Sequence, residues 1–440
     1  MKGSILVIGS GPAGMRASSE LLQQGLKVYL VEEKPTIGGK MAQIDKMFPT
    51  NECATCTALP RMLELTNNPD LALLAYAEVV SIDGSFGDFK VKIVKKPRYV
   101  DPVKCTACMD CFPVCPVGGI PMEFNLGRGA SKAISFYSPF PPRKALIDPR
   151  KCDYLLKGKC GDGEKPPCVE ACKPEAIVFS QKPQEVEFHV GAVILATGLD
   201  EAMEEQLLGS YGYRKMPNVI TALEYERLLS GLGPTGGVVK RDDGKEPQSL
   251  AWLVLDDASP LGFMTAVAEA LGSVEKNPQA SVTVFHKKDV PSLRDAYHRF
   301  YLTAMEKGTP VVHTKSVTVT GVENGDINIS YAGKENGSMK AQMLVLVPPL
   351  VGSPTSRTLA ERIGLKVDNL GFFEKPAGDP NPIHTSRKGI FVIGGAAGPK
   401  GIDDSVLQAC SAAANAASLL APARGTEMAP PPTRELMPVK

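Results

Sequence analysis

The chain opens on an uninterrupted apolar run, Ile5-Leu6-Val7-Ile8, closed by Gly9. A strand apolar on both faces belongs in a parallel sheet covered on two sides. Pro12–Gln24 then carries apolar residues at helical spacing, and Val28–Glu32 reads as the next strand. Residues 71–96 read as short strands, with turns at Asp83-Gly84 and Gly87-Asp88. From 97 to 180 the periodicity fades, and Cys, Pro, Gly and Lys take over. That stretch reads as an inserted module folded around something other than side chains. The pattern resumes at Glu187–Gly191 and runs into the strand Ala192–Gly198. Residues 200–345 form a middle α/β region. Gly389–Gly395 is another buried strand, followed by an Ala-rich helix from about Ser405 to Leu420. The tail from Ala421 to Lys440, with Pro430-Pro431-Pro432, is expected to be disordered.

The turn after the first strand is Gly9-Ser10-Gly11-Pro12-Ala13-Gly14, a GxGxxG between strand and helix. Its first glycine permits the tight turn, the second lets backbone approach a pyrophosphate, and the third lets helix pack on strand. The pyrophosphate would sit on the helix's positive end. Glu32 closes the second strand, where a carboxylate accepts hydrogen bonds from a ribose.

Composition narrows the class. In 440 residues, 49 Lys and Arg balance 48 Asp and Glu, so no global field points to nucleic acid or an anionic membrane. No apolar run reaches the roughly 20 residues needed to span a bilayer. The first strand begins so early that no signal peptide is expected, and a cytoplasmic protein is the natural reading. Of 11 cysteines, most fall between positions 105 and 172. In a large chain of this kind such density points to metal or redox use rather than to disulfides.

Cys105, Cys108, Cys111 and Cys115, followed by Pro116, form CxxCxxCxxxCP. Three close thiolates grip one iron–sulfur cluster, and the fourth reaches the other cluster of a two-cluster ferredoxin. A second set, Cys152, Cys160, Cys168 and Cys172, has stretched first gaps but keeps the ending. The pseudo-twofold logic predicts one cluster on Cys105, Cys108, Cys111 and Cys172, and the other on Cys115, Cys152, Cys160 and Cys168. A module that retains a single cluster is the simpler alternative.

The glycine turn, Gly38-Gly39, the strand ending Ala196-Thr197-Gly198 and the closing Gly394-Gly395 together resemble the two-dinucleotide-domain flavoproteins. That resemblance implies one FAD held by Gly9, Gly11, Pro12, Ala13, Gly14, Glu32, Glu33, Lys34, Gly39, Lys40, Met41 and Val79. It adds Ala196, Thr197, Gly198, Gly394, Gly395, Lys400, Gly401 and Ile402. Where such proteins usually carry Asp after the closing strand's glycine this chain has Gly395, so backbone or Asp403 must serve the ribityl chain.

With both sites read, the chain resembles the A subunit of heterodisulfide reductase and the related A subunit of the quinone-interacting membrane-bound oxidoreductase complex. Gly38–Gln43, Phe48-Pro49-Thr50, Lys95–Asp101, Pro217–Thr221, Gly233–Gly237 and Gly398-Pro399-Lys400 carry the resemblance. It implies an α/β, two-dinucleotide-binding-domain flavoprotein: a Rossmann-like FAD domain, a degenerate second Rossmann-like domain and an inserted ferredoxin-like module with two [4Fe–4S] clusters. The divisions run 1–96, FAD domain; 97–185, cluster module; 186–199, return strand; 200–345, degenerate domain; 346–420, closing part; 421–440, tail.

The implied role is an electron relay between FAD, clusters and partner subunits of an anaerobic complex, with electron-pair splitting in some relatives. Partners would be B- and C-type cluster proteins or a hydrogenase-like input subunit, and a homodimer is compatible. Lys400 would stand near the isoalloxazine. Asp256–Gly262 lacks the cysteines that hold a further cluster in longer relatives, and lacks a second GxGxxG for NAD(P)H. Cys53 and Cys56 read as a redox dithiol, as ligands of another cluster, or as structural thiols. Competing functions are a self-contained NAD(P)H-dependent oxidoreductase, a dithiol–disulfide reductase working through Cys53 and Cys56, and a non-catalytic cluster-bearing scaffold.

Overall fold

The computed structural model describes residues 1–428 except 138, 163, 256–258, 289–291 and 335. The expectations for Asp256-Asp257-Ala258 and for the tail from Ala429 therefore fall outside the described residues.

The first domain is built on a five-stranded parallel sheet. Its spatial order is Ile390–Val392, Ala192–Leu195, Ser4–Ile8, Lys27–Glu32 and Leu71–Ala75. Successive side chains on a strand point to opposite faces. Accordingly Ile5 and Val7 pack with the helices Pro12–Gln23 and Ile402–Leu419, whereas Leu6 and Ile8 pack against Val79, Phe89 and Val91. The second layer is the antiparallel sheet of Ala77–Ser85, Asp88–Lys95 and Gln184–Val190. Both faces are covered, which is why these strands read as continuous apolar runs.

The closing helix begins at Ile402, a turn's length before the expected Ser405. Ser405 lies inside its first turn, with its hydroxyl donating back to the Gly401 carbonyl at 2.8 Å. Serine is a frequent cap, and here that preference is overridden by the extended Gly401 backbone, which starts the helix.

The insert leaves after Lys95 and returns at Gln184, and these two residues pair in one antiparallel ladder. It contains two short ribbons, Ile120–Pro121 with Ala130–Ser131 and Ile134–Ser135 with Leu146–Ile147. Its core is made of cysteines: Cys105, Cys111, Cys115, Cys152 and Cys168 are buried with Val100, Ile134 and Ala145.

The second domain carries a seven-stranded sheet. Parallel strands Val219–Thr221, Met343–Val347, Ser249–Val254, Ser281–His286 and Val311–Gly321 are extended by the antiparallel Ile327–Gly333 and Gly337–Ala341. The chain enters and leaves this domain through Leu199–Glu201 and Leu350–Gly352, paired antiparallel. Among the described residues no helix is long and apolar enough to cross a membrane.

Candidate functional site

The glycine turn is shaped by steric exclusion. Gly9 has φ +96°, and a side chain there would strike the Ala196 carbonyl; one on Gly14 would strike the Gly9 carbonyl. Gly39, at φ +55°, approaches Gly11 so closely that a Cβ would lie 2.8 Å from its Cα. Gly11 caps the helix Pro12–Gln23 without a side-chain bond, so its first N–H groups stay available to an anion.

Glu32 is fixed by three donors: the Ser10 backbone N–H at 2.9 Å, the Ser10 hydroxyl, and the Lys34 backbone N–H at 2.8 Å. Burial nevertheless pushes its carboxyl above the usual range. A ribose hydroxyl pair offers further donors to such a group.

Turn and acid open on one elongated cavity of about 1130 Å³. Of the expected cofactor set, all line it except Ala13, Gly14 and Gly394, which pack behind the wall. Lys40 crosses from the first domain to pair with Asp200. Lys400 lies in the wall, its ammonium donating to the carbonyls of Gly394 (2.9 Å) and Gly398 (3.0 Å). Burial lowers its pKa to about 8. Asp403 turns away from the cavity: it accepts from Tyr297 Oη at 3.1 Å and pairs with Arg294 of the second domain. Gly395 and its neighbouring backbone thus remain the wall at that point.

The cysteines assemble into two groups. Cys105, Cys108, Cys111 and Cys172 line one apolar hollow with Val100, Phe136, Ala145 and Ile177. Burial pushes the Cys111 thiol up to about 12, with Cys172, Cys105 and Cys108 adding to it. The Cys168 thiol is likewise pushed up to about 12 by burial, with Cys115, Cys152 and Cys160 adding to it. The first hollow brings together the four cysteines expected to share one cluster. Four thiolates around one apolar hollow are costly without compensating positive charge, and the irons of a cluster supply it. No group of three His, Cys, Asp or Glu side chains among the described residues could hold a single metal ion.

One ribbon separates the first hollow from the cavity. Ile134 and Ile147 are buried with the cysteines, while Ser135 and Leu146 face the cavity; just past the strand, Phe136 lines the hollow and Tyr137 the cavity. The alternation of strand side chains thus gives the two compartments a common wall.

Cys53 and Cys56 are joined as a disulfide at the start of the helix Ala54–Thr66, and neither lines the cavity. Three carboxyls in the wall, Glu201, Glu226 and Glu269, were not legible as site residues. Only the capping box of Thr221 with Glu224 marks that region in the sequence, and it marks a helix start.

A model of the FAD-dependent oxidoreductase family matches residues 4–51, the glycine turn and acid just described. The chain is 37% identical over 433 residues to the iron–sulfur A subunit of the CoB–CoM heterodisulfide reductase of Methanocaldococcus jannaschii, covering 93% of this chain and 63% of that one. The chain belongs to the family of heterodisulfide reductase A subunits. Another member, the A subunit of the H2:CoB–CoM heterodisulfide,ferredoxin reductase of Methanothermobacter marburgensis, is 36% identical over 429 residues, 94% of this chain and 63% of that one. The chain therefore spans slightly under two thirds of the length of these relatives. Among solved structures, Lactococcus lactis thioredoxin reductase superimposes with a TM-score of 0.53 at 14% identity, covering 96% of this heterodisulfide-reductase-family chain and 100% of that one. That likeness establishes the shared flavoprotein fold alone.

Proposed function

We propose that this chain is the FAD and iron–sulfur electron-transfer subunit of a heterodisulfide-reductase-like complex in the cytoplasm, with one FAD and two [4Fe–4S] clusters. Its partners would be other redox subunits, either B- and C-type cluster proteins or a hydrogenase-like input subunit. The observation that carries this reading is the shared wall: one β-ribbon buries Ile134 and Ile147 with the cysteines and turns Ser135 and Leu146 to the cavity.

When bound, FAD exchanges electrons in pairs or singly and the clusters carry one at a time, so together they convert between the two. The chain's own residues set the conditions. Gly9, Gly11 and the helix start receive the pyrophosphate, and Glu32 orients the ribose. Gly39–Met41 and Ala196–Gly198 close the sides, while Lys400 places a cation in the wall at neutral pH. Lys132 donates to the carbonyls of Pro113 (2.7 Å) and Cys115 (2.8 Å), tying the cavity wall to the second cysteine set.

The test is a count of iron and flavin per chain after purification without oxygen. About eight irons and one FAD are expected. About four irons would show that the stretched second set holds no cluster. An absence of flavin would remove the proposal.

A dithiol–disulfide reductase is favoured by one observation, the bond between Cys53 and Cys56. Unchanged turnover in Cys53→Ser removes that second reading.

A further inference from the structure

The second domain contributes to the cavity wall two carboxyls that form no ion pair among the described residues. Glu269, on the helix Pro260–Lys276, is 1% exposed, and Glu226, on the helix Ala222–Leu229, is 7% exposed. Both line the cavity. Glu269 Oε2 accepts from the Trp252 indole N–H at 2.8 Å, while its Oε1 is buried with no partner among the described residues. Glu226 Oε2 accepts from the Asp45 backbone N–H at 2.7 Å.

The surrounding cations relieve Glu226 only in part. Glu269 faces Glu226 and Glu201; Glu226 faces Asp45, Arg227 and Lys276. Both cations are engaged elsewhere. Arg227 donates to Asn125 Oδ1 and to the carbonyls of Gln43 and Leu232, and Lys276 pairs with Asp45 at 2.9 Å. Burial first, and then the neighbouring carboxyl, raises Glu269; burial likewise raises Glu226. The two helices pack together, and two repelling carboxyls buried in one wall cannot both be ionised cheaply, so one keeps its proton. Protonation also spares the unpartnered oxygen the cost of carrying charge in a buried site.

We propose that Glu226 and Glu269 form a proton-holding pair in the cavity wall, sharing one proton at rest and releasing it as electrons enter the cavity. This rests on the reading that the cavity holds FAD. For each electron pair delivered by the partner redox subunits, one carboxyl O–H bond breaks and its proton follows the electrons onto the cofactor. Both carboxylates are then ionised, and water at the open side of the cavity restores the proton. The second domain, in this view, supplies a proton where a pyridine-nucleotide enzyme supplies a hydride.

The single tryptophan makes the pair observable. In the full chain labelled with 15N-tryptophan, with its clusters oxidised, the one indole N–H resonance should titrate with a midpoint above the usual carboxylate range. Glu269→Gln should flatten the curve, and Glu226→Gln should move the midpoint lower by removing the repelling neighbour. A resonance that does not titrate, or one that titrates identically in Glu226→Gln, overturns the pair. On the same preparations the flavin midpoint potential is followed against pH. Its slope should break at the indole midpoint and lose that break in both variants. An indole that titrates beside an unbroken slope in wild type overturns the proton coupling. A chain that binds no FAD while the indole still titrates instead overturns the underlying assignment of the cavity.

Discussion

At the scale of single residues, the site consists of groups whose charge state is set by burial. Glu32, proposed to hold the ribose, lines the cavity and is fixed by Ser10 and Lys34. Glu32→Ala should weaken FAD binding by about 1–2 kcal/mol, roughly tenfold, in a flavin fluorescence titration. Glu201 has its carboxyl raised to about 7 by burial, partly offset by the Leu223 N–H that it accepts at 2.9 Å. Since the folded pKa exceeds the unfolded one, this carboxyl's contribution to stability is complete below the unfolded value, near 4.5, and is lost as pH rises through about 7. Glu201→Gln should therefore flatten that part of the stability profile by on the order of 2 kcal/mol, read from denaturant midpoints at acid and neutral pH. GxGxxG and Glu32 were legible in the sequence because their chemistry depends on local spacing. Glu201, Glu226 and Glu269 were not, because nothing local to a surface-type residue says that it will be buried.

At the scale of elements, the insert has a small core in which thiols are mixed with a few apolar side chains. Without iron, its short ribbons and the helices Asp153–Lys157 and Pro167–Glu170 bury too little apolar surface to hold it together. Cys111→Ser should remove about four irons per chain and weaken the protection of residues 97–183 against proteolysis, while FAD remains bound. Retention of all iron in that variant would break the assignment of Cys111 to the first cluster. The motif CxxCxxCxxxCP made the module visible; the ribbon whose two faces serve hollow and cavity was not. Ile134 and Ser135 are adjacent in sequence, and only the strand's alternation sends them to opposite compartments.

At the scale of the whole molecule, the two domains and the insert meet on a buried guanidinium. Arg227 is 0% exposed; it donates to Asn125 Oδ1 of the insert at 3.0 Å, to the Gln43 carbonyl of the first domain at 2.6 Å, and to the Leu232 carbonyl of its own domain at 3.1 Å. Phe124 of the insert lies beneath it, 5.1 Å from guanidinium carbon to ring centre. Arg227→Met should cost about 3 kcal/mol, seen as a thermal midpoint several degrees lower, and should loosen FAD with it. A variant that melts like the wild type would show that the junction is held elsewhere.

The sequence by itself determined the parallel sheet, the dinucleotide turn, the interleaved cysteine sets and the family, because each is written in local spacing or in apolar periodicity. Tertiary structure alone decided that one ribbon walls both compartments, that Asp403 turns to Arg294, and that Cys53 and Cys56 stand outside the cavity. It also decided that carboxyls from two helices of the second domain face the cavity. Those outcomes depend on which distant segments pack together. Desolvation and charge proximity act through space, and a linear pattern records neither.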